Sequence, residues 1–158
     1  MKYPFVPKST AYLKEGQIMS IPLSDGSYAC GRILQLKVEG EKRDSRMFIA
    51  GLMDWHGNEP PCSEAISGTK ILAHGQVHVK TVKECGAEIV GYLDLGEDNT
   101  QIPLSLDQSP GRNCRLRRGY DLLDPASDSE QSTLHVFSTW GFKVMKNLAE
   151  KHYVEQSV

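Results

Sequence analysis

The feature that most constrains this chain of 158 residues is the stretch 16–36, in which two apolar runs flank Leu23-Ser24-Asp25-Gly26-Ser27. An Asp-Gly pair between apolar runs specifies a hairpin, because glycine accepts φ > 0 at no steric cost. Before the turn, Ile18, Ser20 and Pro22 point one way and Gln17, Met19, Ile21 and Leu23 the other. After it, Tyr28, Cys30 and Arg32 alternate with Ala29, Gly31 and Ile33. Pro22 removes a ladder donor and belongs at a strand end or an edge. Gly31, inside the second run, marks a bend or bulge in a curved sheet.

The rest of the chain continues in the same manner. Residues 1–15 read as an extended arm, and the charged stretch 37–46 as a solvated loop or a frayed strand extension. The continuous apolar run 47–54 suits a strand buried on both faces, which completes a three-stranded meander. Pro60 and Pro61 make 55–68 a loop, with room for one helical turn after Cys62. Further strands are expected at 71–82, where Gly75 interrupts the pattern, and at 88–95, 100–106 and 134–138, with a short strand or turn at 120–123. Residues 107–119 read as a Pro/Gly loop and 124–132 as an acidic, Ser-rich surface loop. From Trp140 the period changes: Trp140, Val144 and Leu148 recur every four residues. This predicts one C-terminal helix over 139–153, capped by Ser138 or Thr139. The expected fold is mainly β, a curved antiparallel sheet or small barrel-like domain of seven or eight strands spanning 1–158, with one C-terminal helix.

Composition narrows the partners. Eighteen Lys and Arg against twenty Asp and Glu give a net charge of −2, which supplies no global attraction to nucleic acid or to an anionic membrane. The first residues lack the apolar core of a signal peptide, and no apolar stretch approaches a membrane span. Cys30, Cys62, Cys85 and Cys114 are scattered without Cys-x-x-Cys spacing, which reads as four reduced thiols in a cytoplasmic protein.

Few residues group as catalytic sets do. His74 and His78 share one face of a strand, and His56 or His135 could add a third metal ligand, but the spacing picks out no set and the pair reads as solvent-facing. Cys30, between Ala29 and Gly31, reads as a core thiol. There is no Gly-x-Ser-x-Gly elbow and no phosphate-cradling glycine loop. Arg112, Arg115, Arg117 and Arg118 form the strongest local charge signal, with an acidic stretch at 121–130 placed to neutralise it. Trp55, at the end of a buried strand, reads as core, with a surface anchor as the alternative.

The stretch from Glu15 to Leu34, with Pro22-Leu23, Asp25-Gly26, Tyr28 and Gly31-Arg32-Ile33-Leu34, resembles the opening motif of the immunity protein 26 family of bacterial polymorphic-toxin systems. Ile89-Val90-Gly91-Tyr92-Leu93 is similar to a later strand of that family, although Ala87 and Glu88 stand where the family often carries Trp. The resemblance implies a β-rich, non-catalytic protein that binds and neutralises a cognate toxin protein; neither a cofactor nor a metal is expected. The candidate contact residues are Asp25, Tyr28, Asp54, Trp55, His56, Arg115, Arg117 and Arg118. Exposed strand edges leave room for a homodimer. The alternative implied by the wider group is a metal-assisted phosphotriester-type hydrolase, which here would use His74, His78 and Asp54 or Asp94.

Overall fold

The structure is a computed structural model that describes residues 2–155. Its larger sheet contains β1 (Gln17–Pro22), β2 (Tyr28–Glu39), β3 (Lys42–Gly57), β4 (Ile71–His78) and β5 (Glu88–Tyr92), in the order β4-β3-β2-β1-β5. A second sheet contains β6 (Leu104–Leu106), β7 (Arg115–Arg118) and β8 (Asp121–Pro125), in that order. All pairings between these strands are antiparallel, and the larger sheet stays open rather than closing into a barrel. Among the described residues four short α-helices connect or cover them: α1 (Ser63–Ile66), α2 (Lys80–Glu84), α3 (Asp128–Thr133) and α4 (Val144–Ala149).

The hairpin forms for the reasons its sequence supplies. Gly26 takes φ 88°, the Leu23 amide donates to the Ser27 carbonyl at 2.8 Å, and Asp25 Oδ1 accepts from the Ser27 amide at 2.9 Å. β1 ends at Pro22, and the β2–β3 register shifts between Ala29 and Gly31, so the proline and the glycine stand where their chemistry puts them. The charged stretch 37–46 continues both strands into a second hairpin.

Both faces of the larger sheet are buried. On one, Met19, Ile21, Ala29, Ile33, Phe48, Ala50, Val77 and Ile89 pack with Tyr3 and Phe5 of the N-terminal arm and with Met145 and Ala149 of α4. On the other, Ile18, Cys30 and Met53 pack with Ile66 of α1. Arg32 lies on this second face, fully buried. Its Nη1 meets Asp98 Oδ2 at 2.9 Å and donates to Thr100 Oγ1 at 3.0 Å, and its Nη2 donates to the Leu93 carbonyl. A buried guanidinium needs this pairing, which ties the chain from Leu93 to Thr100 against the sheet.

An extended strap, residues 134–140, links the two sheets edge to edge. The Gln76 amide donates to the Ser138 carbonyl at 2.9 Å, and the Trp140 amide to the Gln76 carbonyl at 2.8 Å. A few residues earlier the strap pairs with β6 instead, through Leu106 N to His135 O at 2.9 Å and Phe137 N to Leu106 O at 2.8 Å. Both pairings are isolated parallel bridges.

Several expectations need correction. Residues 134–138 make bridges to two sheets rather than a strand of one, because their hydrogen bonds change partner midway. The Pro/Gly loop 107–119 contains β7, since Leu116 turns into a small core with Leu106 and Cys114 while its arginine neighbours point outward. The strand at 100–106 is confined to Leu104–Leu106, and that at 88–95 ends at Tyr92. The strand at 71–82 stops at His78 and is followed by α2, while Gly75 does not break it. A Cβ at Gly75 would stand 2.6 Å from Trp140 Cε2, so the glycine makes room for the indole. Residues 124–132 hold the end of β8 and most of α3, whose Ser127 and Glu130 form a reciprocal capping box. The C-terminal helix begins at Val144, not 139. Its N-cap is Lys143, with no side-chain cap from Ser138 or Thr139, because those two residues belong to the strap. It continues as a π-helical turn, Glu150–Val154. The arm 1–15 carries a 3₁₀ turn at Thr10–Tyr12 and bridges the edge of β5 through Phe5. Among the described residues no helix is long and apolar enough to cross a membrane.

Candidate partner-binding site

At the end of the larger sheet that carries the Asp25-Gly26 turn, β2 and β3 bring Tyr28 opposite Gly57 and Ala29 opposite His56. Ser27 is buried beneath, and its hydroxyl donates to Asp25 Oδ1. Ser27's hydroxyl and amide donors hold the Asp25 carboxyl below its ordinary range. His56 Nε2 lies 2.7 Å from Ser27 Oγ. With the hydroxyl proton committed to Asp25, the Ser27 oxygen is the acceptor and Nε2–H the donor.

The order is therefore carboxylate, hydroxyl, imidazole. A hydrolytic triad needs the imidazole in the middle, where it takes the hydroxyl proton. Here the hydroxyl stands in the middle with its proton on Asp25, and Ser27 is 4% exposed. The chain of hydrogen bonds orients His56, which is itself exposed.

The C-terminal segment fixes the same end from outside. Tyr153 stacks on His56 with ring centroids 4.8 Å apart and planes 10° from parallel. Its hydroxyl donates to the Met53 carbonyl at 3.0 Å. Burial, then the carboxylate of Asp54, pushes the phenol up to about 12. Glu150 accepts from the Ser24 amide and the Ser24 hydroxyl, each at 2.7 Å. Asp25, Asp54 and His56 are exposed, Tyr28 is half-buried, and Glu150 is partly exposed beside them. Trp55 turns to the opposite face, packed with Ile18, Cys30 and Met53, so it is scaffold for this end.

The arginines lie elsewhere, on the second sheet. Arg115 Nε donates to the Leu123 carbonyl at 2.8 Å, Arg117 Nε to the Gly119 carbonyl at 2.8 Å, and Arg118 Nη1 to the Ile102 carbonyl at 3.0 Å. Arg117 also covers the Phe137 ring at 3.7 Å. Backbone carbonyls, rather than the carboxylates of 121–130, satisfy these side chains. Tyr120 of the same sheet bonds Gln35 and Gln76, on the face of the larger sheet opposite His56.

The residues of the alternative hydrolase are not gathered. His78 accepts from the Lys80 amide through Nδ1 at 3.0 Å and sits edge-on to Phe142. Asp94 caps its own turn through Gly96 N at 2.8 Å. His74, which the sequence leaves in solvent, is half-buried, and burial followed by the nearby His135 lowers its pKa. Among the described residues no three His, Cys, Asp or Glu side chains come close enough to hold a metal ion. Cys30 is buried, and burial pushes its thiol up to about 12, which keeps it protonated and unreactive.

Ser27, Glu150 and Tyr153 were not among the sequence candidates. Ser27 was accessible to sequence reasoning, since a serine two residues after a turn aspartate is a natural partner for it. Glu150 and Tyr153 bond partners 126 and 100 residues away, and no local pattern announces that. No family model, curated protein or solved structure matches this chain.

Proposed function

We propose that this protein is an immunity protein: it binds a toxin protein inside the cell and blocks it stoichiometrically. The observation that carries this reading is the chain from Asp25 through Ser27 to His56, clamped behind by Tyr153 and Glu150. Exposed side chains held in one geometry before binding lose less freedom on binding, a saving of about 0.5–1.5 kcal/mol per side chain. The resemblance of residues 15–34 to the immunity protein 26 opening motif supports the same class, because this hairpin supplies Asp25, Ser27 and Tyr28.

The charge of the end indicates the partner's chemistry. Asp25, Asp54 and Glu150 stand at this end with two imidazoles, His56 and, edge-on to Tyr153 at 4.7 Å, His152. A toxin with a basic rim round its active site would meet an opposite potential here, which speeds encounter and disfavours acidic competitors. The test uses the polypeptide encoded by the adjacent reading frame. Its toxic activity is titrated with the purified protein. The proposal expects activity to fall linearly to zero at one equivalent, with binding weakened by salt. Complete neutralisation at a small fraction of an equivalent would mean turnover, and absence of a complex would remove the binder; either result contradicts it.

A further inference from the structure

A cleft of about 590 Å³ opens between β4 and the strap, within the size range of small-ligand sites. It exists because the strap pairs with β4 only near Gln76 and then crosses to β6 near Leu106, leaving a wedge behind the point of divergence. Leu72, Leu134, Phe137, Trp140 and Leu148 give it apolar walls.

We infer that this cleft binds a small organic anion, an aryl or alkyl body bearing a carboxylate, with the body against the apolar walls and the carboxylate held by His74 and His135. The inference stands apart from the partner-binding reading, since none of the His56 cluster lines the cleft.

The lining decides the sign of the ligand's charge. β4 brings one titratable group, His74, and the strap brings one, His135; β6 with Pro103 before it, Thr133 of α3 and Leu148 of α4 bring none, while Arg117 of the adjoining β7 covers the ring of Phe137. With no carboxylate in the walls, a cation would find no counter-charge there. Two imidazoles become positive by taking up protons, and an anion supplies what holds them so. Further polar groups converge on the same place. The Gln76 amide and carbonyl face the strap, and by the two-residue period of the strand those of His74 face the same edge, where the strap has already turned away. Ser105 lines the cleft, is 2% exposed, and its hydroxyl has no hydrogen-bond partner. Burial and the neighbouring His135 both disfavour the charged form of His74, and an anion beside it favours that form, so a proton is taken up as the anion binds.

The experiment is calorimetric titration with naphthalene-2-carboxylate and with the neutral naphthalene-2-carboxamide. The carboxylate is expected to bind about tenfold more tightly at about pH 5.5 than at about pH 8, and the carboxamide with no such change. His74→Gln and His135→Gln should each flatten the pH dependence of carboxylate binding, with folding checked by thermal melting. His135 is exposed, so its variant keeps the test decisive if His74→Gln does not fold. Equal, pH-independent affinities for the two probes would overturn the assignment, as would no binding of either, or full pH dependence retained in a folded His135→Gln protein.

Discussion

The two sheets are built from the same kind of antiparallel pairing but are held in different ways. The larger one buries both faces, and the one charge inside it, Arg32, is matched by Asp98 in a pair whose side chains are 0% and 1% exposed. The smaller one has a core of Leu106, Cys114 and Leu116, and depends on arginines that donate to backbone carbonyls. The first is a body made by removing apolar area from water. The second is an attachment made by directional bonds, joined to the body through the strap and through Tyr120 on Gln35 and Gln76.

This contrast can be broken by substitution. Asp98→Ala leaves a buried guanidinium uncompensated and is expected to cost about 3–5 kcal/mol in urea unfolding. Leu116→Ala opens a cavity in a core that is thin and easily relaxed, so a cost near the low end for such changes is expected, about 2 kcal/mol. Equal losses from the two would show that the sheets are one cooperative core. Arg117→Ala removes the contact with Phe137 and should cost about 0.5–1 kcal/mol, read from the same melts. The smallest effect is at the junction of the sheets. The His74 pKa lies below its ordinary value of 6.5 in the folded protein. The unfolded chain therefore binds a proton first as pH falls. The stabilisation is complete above 6.5 and is lost as pH drops below that value toward the folded pKa. His74→Gln should remove this slope from a plot of stability against pH.

The larger sheet was legible in the sequence because its signals are local. The Asp25-Gly26 turn, Pro22 at a strand end and the alternation of Met19 and Ile21 with Ile18 and Ser20 each follow from a few neighbouring residues. The smaller sheet was hidden because strands of three to five residues carry too few alternations to read, and its arginines resemble a solvated loop. Arg32 left a legible trace, a charge in the middle of an apolar run, but its partner lies 66 residues away. The candidate site was half readable for the same reason. Asp25, Tyr28, Asp54 and His56 come from two adjoining strands of one meander and the turn that leads into them, whereas Glu150 and Tyr153 arrive from the far end of the chain. Trp140 shows the cost of reading period alone: its spacing from Val144 and Leu148 suggests a helix, yet it ends the strap and fills the place that Gly75 leaves.

The most direct test of the central claim, that the acidic His56 end binds and blocks a protein, is the affinity of the adjacent-frame polypeptide for the wild type and for Asp54→Lys, measured by calorimetry. Asp54 is exposed, so the reversal of charge should leave the fold intact. The account predicts a one-to-one complex for the wild type and a Kd raised about tenfold or more for the variant, with the salt dependence reduced. The same Kd for both proteins would contradict it.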